Sequence, residues 1–263
     1  MTDVVVFKFG GSIITDKHAS EPATRADILQ QLAKDLAVLC NEYPLLRPLV
    51  LHGAGSFGHP LAHRYAINGK TLTPEAVQHA GEITDSVRRL NTAVVDALRQ
   101  AGLSAFPVQT SVAVTEVEGS LQFVAHDVLE DVMTHGGIPV LSGDIVFADR
   151  THIKIASADR LATLCSERFD AKTLVFATDV AGVFSSWPPA AGEQPLVHLT
   201  REEIEHFAQP TDAHAHDVTG EMQGKLAALL PLRGRRIVIG DGQEAGFLLK
   251  ALTLEPRGTV IEL

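Results

Sequence analysis

Cysteine is scarce: Cys40 and Cys165 are the only two in 263 residues. That is too few for a disulfide framework or a cysteine zinc cluster, and both lie in apolar surroundings that suit buried free thiols. Positive charge is also short, with 22 Lys and Arg against 32 Asp and Glu, a net charge of −10 and a pI near 5.6. A nucleic-acid partner, which favours a basic face, is therefore not expected. Acidity overall does not exclude an anionic substrate, because only the charge near the site matters. No apolar run approaches a membrane span, and the chain reads into a strand with no charged-then-apolar leader, so a soluble cytoplasmic protein is expected. The phosphate-loop pattern GxxxxGK[ST] is absent, which removes the common P-loop ATPases.

What the chain does have is short apolar strands alternating with helical patterns. VVVFKF (4–9), PLVLHG (48–53), SAFPVQ (104–109), IPVLSGD (138–144), KTLVFATD (172–179), RRIVIGDG (235–242) and GTVIEL (258–263) read as strands. Residues 24–42, 74–100, 128–136 and 158–169 read as helices, and a further helix begins near Gly220 and ends before Arg233. Residues 110–125 read as a hairpin around Gly119, off the main sheet, and a second hairpin turns near Asp149–Arg150. The Pro/Gly-rich stretch 187–195 reads as a surface loop. Continuous apolar strands separated by helices predict an α/β fold, a three-layer αβα sandwich with a mainly parallel central sheet. With no internal repeat and no long linker, residues 1–263 read as a single domain.

Six segments rich in small residues stand at strand or helix ends: KFGGSIITDK (8–17), HGAGSFGH (52–59), LSGD (141–144), IASAD (155–159), FATDVAGVF (176–184) and DVTGEMQGK (217–225). Small residues let backbone N–H groups approach phosphate oxygens, and the ammonium groups of Lys8, Lys17 and Lys225 can neutralise them. Together they describe a phosphoryl-transfer site. Each has a plainer alternative. Lys8 could be a surface lysine before an ordinary turn, and His59 could pack beneath its own. Asp144, Asp159, Asp179 and Asp217 could orient lysines, hold magnesium or contact a ribose, but Asp159 could equally cap the helix that follows it. HGAGSFGH also contains a formal GxGxxG, yet it follows the second strand and lacks the acidic partner about 20 residues on that a dinucleotide site uses. His214 and His216 read as a solvated loop.

KFGGSIITDK, HGAGSFGHPLAHRYAI, PVLSGD, TDVAGVF and DVTGEMQGK, in this order, resemble the amino acid kinase superfamily, and within it most closely the isopentenyl phosphate kinases. GSFGHP (55–60) with Tyr65 is the most specific piece, since amino-acid-directed members lack this histidine. The resemblance implies a homodimer of αβα sandwiches that uses ATP and Mg²⁺ to convert isopentenyl phosphate to isopentenyl diphosphate, an isoprenoid precursor. The N-terminal part would mainly hold the acceptor phosphate and the C-terminal part ATP. It further implies that Lys8 contacts the transferred phosphoryl group, that Gly10, Gly11 and Ser12 line its path, and that Lys17 stabilises the transition state. Ala54 and Gly55 would lie at the donor–acceptor junction, His59 would bind the acceptor phosphate and Gly143 would contact the acceptor. Asp159 would orient the lysines, Asp179 and Val183 would contact the nucleotide, and Gly220 and Lys225 would serve the ATP phosphates. Two departures stand out: Glu221 replaces a usual glycine, and Phe184 stands at an adenine-side tyrosine.

A phosphate monoester acceptor is substantially ionised at neutral pH, so such a reaction needs positioning and charge neutralisation rather than a base. The nearest rival is a fosfomycin kinase, which shares the glycine-histidine loop but takes a small polar phosphonate. Apolar Leu72, Ile83 and Val87 would suit an alkenyl tail instead, or could simply be core. A nucleotide-binding regulatory protein would not need Lys8, Lys17, His59 and Lys225 together.

Overall fold

A computed structural model describes residues 3–19, 21–186, 189–190, 192–208 and 218–263, with 218–221 followed as backbone only. In β1 (Val4–Phe9) the β-branched and aromatic residues favour an extended backbone. Two-residue alternation sends Val5, Phe7 and Phe9 to one face of the sheet and Val6 to the other, with Lys8 on the Val6 side. There follow α1 (Gly11–Ile14), a ribbon of β2 (Thr15–Asp16) and β3 (Ala23–Thr24), and α2 (Ala26–Glu42). β4 (Arg47–His52) leads into α3 (Gly55–Tyr65), β5 (Lys70–Thr71) and α4 (Pro74–Gln100). Next come β6 (Ala105–Pro107), α5 (Thr110–Ala113), β7 (Val114–Val117), β8 (Ser120–Phe123) and α6 (His126–Thr134). β9 (Ile138–Ser142) passes through Gly143 to β10 (Asp144–Ala148), β11 (His152–Ala156) and α7 (Ala158–Arg168). The remaining elements are β12 (Thr173–Thr178), β13 (His198–Leu199), α8 (Arg201–Phe207), α9 (Val218–Leu229), β14 (Arg236–Asp241), α10 (Phe247–Ala251) and β15 (Thr259–Glu262).

The main sheet has the order β13-β15-β14-β12-β1-β4-β9-β6, parallel throughout except where β15 runs antiparallel to β14. Residues of α2, α4 and α10 form the core on one face, and residues of α6, α7, α8 and α9 form it on the other. This is the expected αβα sandwich. From β1 the chain moves outward through β4 and β9, whereas β12 and β14 build on its other side. The strand order therefore reverses at the β1–β12 junction, and such a switch point opens a crevice at the carboxyl ends of the strands. Among the described residues no helix is long and apolar enough to cross a membrane.

Three parts of the sequence reading change. The two hairpins are not isolated: they join β5 in a second sheet of order β5-β11-β10-β7-β8. Their turns do fall where expected, with Glu118–Gly119 and Asp149–Arg150 all at positive φ, the backbone a two-residue hairpin turn requires. HGAGSFGH is a loop only at its start, because α3 begins at Gly55. Thr24, expected at the head of a helix, pairs with β2 instead, and the helix begins at Ala26.

Candidate active site

The first two glycine segments cross back to back. A Cβ on Gly11 would lie 2.5 Å from the Gly55 nitrogen, and one on Gly53 would lie 2.6 Å from the Gly11 nitrogen. Only glycine permits backbones that close, and the crossing brings the turns after β1 and β4 into one floor. Above it lies a cleft of about 500 Å³ running along the ends of β1, β4, β9 and β12.

At its centre Lys8 and Lys225 share one carboxylate. Lys8 Nζ is 3.1 Å from Asp159 Oδ1, and Lys225 Nζ is 3.2 and 3.3 Å from Asp159 Oδ1 and Oδ2. Both lysines are buried. Asp159 does not cap its helix: Ser157 does, accepting from the Arg160 N–H. Asp159 is thus free for the lysines. Burial alone would raise its pKa, but the two ammonium groups outweigh that and hold it at about 2. Burial, then the charge of Lys8, brings Lys225 down to about 8 against the pull of Asp159. Two cations on one anion leave a net positive centre, which suits an incoming phosphate.

Gly10, Gly11, Ser12, Thr178, Asp179 and Gly224 line one end of the cleft, and Ala54, His59 and Gly143 line the other. His59, on the second turn of α3, is exposed to the cleft and has no hydrogen-bond partner among the described residues. Beside it stands an apolar wall of Ala62, Ile83, Val87, Ile145 and Ile155. Leu72 is not part of that wall but packs into the core beneath it. Asp144, weighed above for metal or ribose, is instead tied into the frame. It accepts from Thr84 Oγ1, Gln109 Nε2 and the Ile145 N–H at 3.1, 3.1 and 2.8 Å. Burial pushes its carboxyl up to about 6 despite these donors.

Several expected residues sit off the cleft. Gly55 is beneath the floor, against Thr15 and Gly11. Lys17 does not line the cleft but stands at its mouth, about half exposed, with Nζ 3.5 Å from Oδ2 of the cleft-lining Asp179. The Val183 side chain is buried in the core, and its N–H donates to Thr259 Oγ1 at 2.8 Å, so it does not face the cleft. Gly220 lies on the first turn of α9, of which only the backbone course is described; the Glu221 side chain, Asp217, His214 and His216 lie outside the described residues. Two features escaped the sequence. Arg160 lines the cleft and pairs with buried Glu116 at 2.7 Å. His52 bonds to Asn91, and an asparagine among Val87, Leu90 and Val94 on the buried face of α4 was the available signal.

An open cleft at the switch point of a parallel sheet, floored by crossed glycine turns and centred on two lysines, defines a phosphotransferase of the αβα type. Residues 3–241 match the sequence profile of the amino acid kinase family, and the chain belongs to that family. Within it, the chain is 30% identical to the isopentenyl phosphate kinase of Methanothermobacter thermautotrophicus over 98% of both chains. It is 32% identical to that of Haloferax volcanii, again over 98% of each. Among solved structures, one described as isopentenyl phosphate kinase matches with a TM-score of 0.81 and 28% identity, over 98% of this chain and all of the other.

Proposed function

We propose that this chain is an isopentenyl phosphate kinase that transfers the γ-phosphoryl group of ATP to isopentenyl phosphate in the cytoplasm. The observation that carries this reading is the apolar wall of Ile83, Val87, Ile145 and Ile155 standing beside His59 in one cleft with the lysine pair. A phosphate with a short alkenyl tail has both a group for the histidine and a surface for the wall. A polar phosphonate such as fosfomycin would leave the wall uncovered, so that reading is disfavoured. The whole chain acts as one unit. Its N-terminal part supplies most of the acceptor end and its C-terminal part most of the nucleotide end, with Lys8 between them.

In this reading Lys8 and Lys225 hold the transferring phosphoryl group, Asp159 aims them, and the turns at Gly10–Ser12 and Ala54 close around it. Asp179 and the start of α9 face the nucleotide. Among the described residues no group of three His, Cys, Asp or Glu side chains forms a metal cage. Asp144, Asp159 and Asp179 are each engaged by protein donors. That donor set suits Mg²⁺ held mainly by the ATP phosphates, where it would neutralise their oxygens. Because the acceptor arrives ionised, no side chain need take its proton. A second copy of the chain completes the assembly we propose, and Phe106, exposed on the outermost strand of the main sheet, is an apolar group such a copy would cover.

His59→Ala tests the acceptor end. Loss of an oxyanion donor is worth about 2.7–4 kcal/mol, or roughly 100- to 1,000-fold in turnover. His59→Gln, which keeps an N–H, is expected to regain part of it. Near-normal steady-state turnover by a folded alanine variant would show that the histidine does not touch the acceptor.

A further inference from the structure

The turn after β4 is held from behind by a buried polar pair that the reading above does not use. His52 is fully buried, with Nδ1 3.0 Å from the Gly53 carbonyl oxygen and Nε2 3.2 Å from Asn91 Nδ2. The same Nδ2 lies 3.3 Å from the Val140 carbonyl oxygen of β9. A carbonyl oxygen only accepts, so the Asn91 atom facing it is the amide NH₂. That donor makes Nε2 of His52 an acceptor and leaves the ring proton on Nδ1, aimed at Gly53. Three contacts together select one tautomer.

The consequence reaches the cleft through peptide geometry. In a trans peptide the C=O of one residue and the N–H of the next point in opposite directions. With the Gly53 oxygen drawn toward a buried ring, the Ala54 N–H faces away from that ring, and Gly53 and Ala54 both line the cleft. That N–H has no acceptor among the described residues. The His52 main chain adds a second tie, its carbonyl accepting from the Gly143 N–H at 2.8 Å.

We propose that His52 is a positioning residue: held in its Nδ1–H tautomer by Asn91, it sets the Gly53–Ala54 peptide so that the Ala54 N–H donates to the transferring phosphoryl group. The proposal rests on the kinase reading. Without the ring proton at Nδ1 the peptide is free to turn and present a carbonyl oxygen to an anion. Burial, reinforced by the charge of Lys8, holds the His52 pKa down at about 4, so the ring works neutral and its tautomer is what matters.

Two measurements test it. In ¹⁵N-histidine-labelled protein, two-bond ¹H–¹⁵N correlations are expected to show His52 as the Nδ1–H tautomer at neutral pH; an Nε2–H or doubly protonated ring would overturn the proposal. In kinetics with ATP and isopentenyl phosphate, His52→Leu is expected to lower kcat by about 10- to 100-fold, a misaimed rather than deleted oxyanion donor, with little change in either KM. His52→Asn, whose amide N–H can take the place of Nδ1–H, is expected to keep most of the rate. Equal losses in the two variants would reduce His52 to packing and overturn the role. Should His52→Leu not fold, Asn91→Leu is read instead: a mixed tautomer with lowered kcat is expected, and an unchanged kcat overturns the proposal. The spectrum needs no acceptor, so a parent chain inactive on isopentenyl phosphate would sink the substrate reading while the ring proton still decides this one.

Discussion

Asparagine in place of Asp159 is expected to lower kcat by two to three orders of magnitude, on the order of what deleting a main electrostatic group costs an active site. The residue touches Lys8 and Lys225 at once, each through a contact of 3.1–3.3 Å. Without the carboxylate, two largely buried ammonium groups face each other. At a separation of 4 Å and an effective dielectric of 20, like charges repel by about 4 kcal/mol. Lys225, already brought to about 8, loses the group that raises its pKa and gives up its proton more readily. The centre then loses both aim and charge. A neutral amine cannot stabilise phosphoryl oxygens, so activity in the variant should fall away at a lower pH than in the parent. Steady-state rates across pH, with circular dichroism to confirm the fold, check this. A kcat within a few-fold of the parent would show that the lysines do not need Asp159.

Lys17→Ala is expected to lower kcat by a similar factor, about 100-fold or more, while moving either KM little. Lys17 is held at the cleft mouth by Asp179, in a 3.5 Å pair with both partners substantially exposed. Such pairs are worth about 0–1 kcal/mol, so an arriving phosphoryl group can readily take Lys17 from Asp179. A lysine engaged mainly as charge spreads over the equatorial oxygens affects kcat, whereas uniform binding would shift only KM. Arginine at 17 should rescue poorly, being planar where a compact charge is needed. An unchanged kcat, or a pure KM effect, would confine Lys17 to ligand binding.

What the sequence disclosed and what it hid follow from the range of the interactions. VVVFKF and VLSGD announce strands and turns through neighbours alone, so the sandwich and the glycine turns were legible. That two glycine turns would cross so closely that a Cβ on Gly53 would lie 2.6 Å from the Gly11 nitrogen was not, because nothing local joins Gly11 to Gly53. By its position Asp159 could cap a helix or orient lysines, until the fold placed Ser157 in the capping role and brought Lys225, 66 residues away, onto the carboxylate. The family likeness supplied the pairing that spacing could not. Motif position alone did not show that the Val183 side chain is buried and its N–H taken by Thr259 Oγ1. Leu72 read as well as Ile83 for an apolar wall, because hydrophobicity alone does not say that α4, and not the turn leading into it, faces the cleft. The second sheet, which contributes Ile145 and Ile155, was visible only as hairpins.

The central claim, that the cleft takes a phosphate with a short apolar tail, is tested most directly by acceptor choice. ADP release from ATP and Mg²⁺ is measured with isopentenyl phosphate, dimethylallyl phosphate, fosfomycin and an N-acylated amino acid as separate acceptors. The account predicts a kcat/KM for isopentenyl phosphate far above those for fosfomycin and the amino acid. Turnover of fosfomycin or the amino acid at an equal or greater kcat/KM would contradict it.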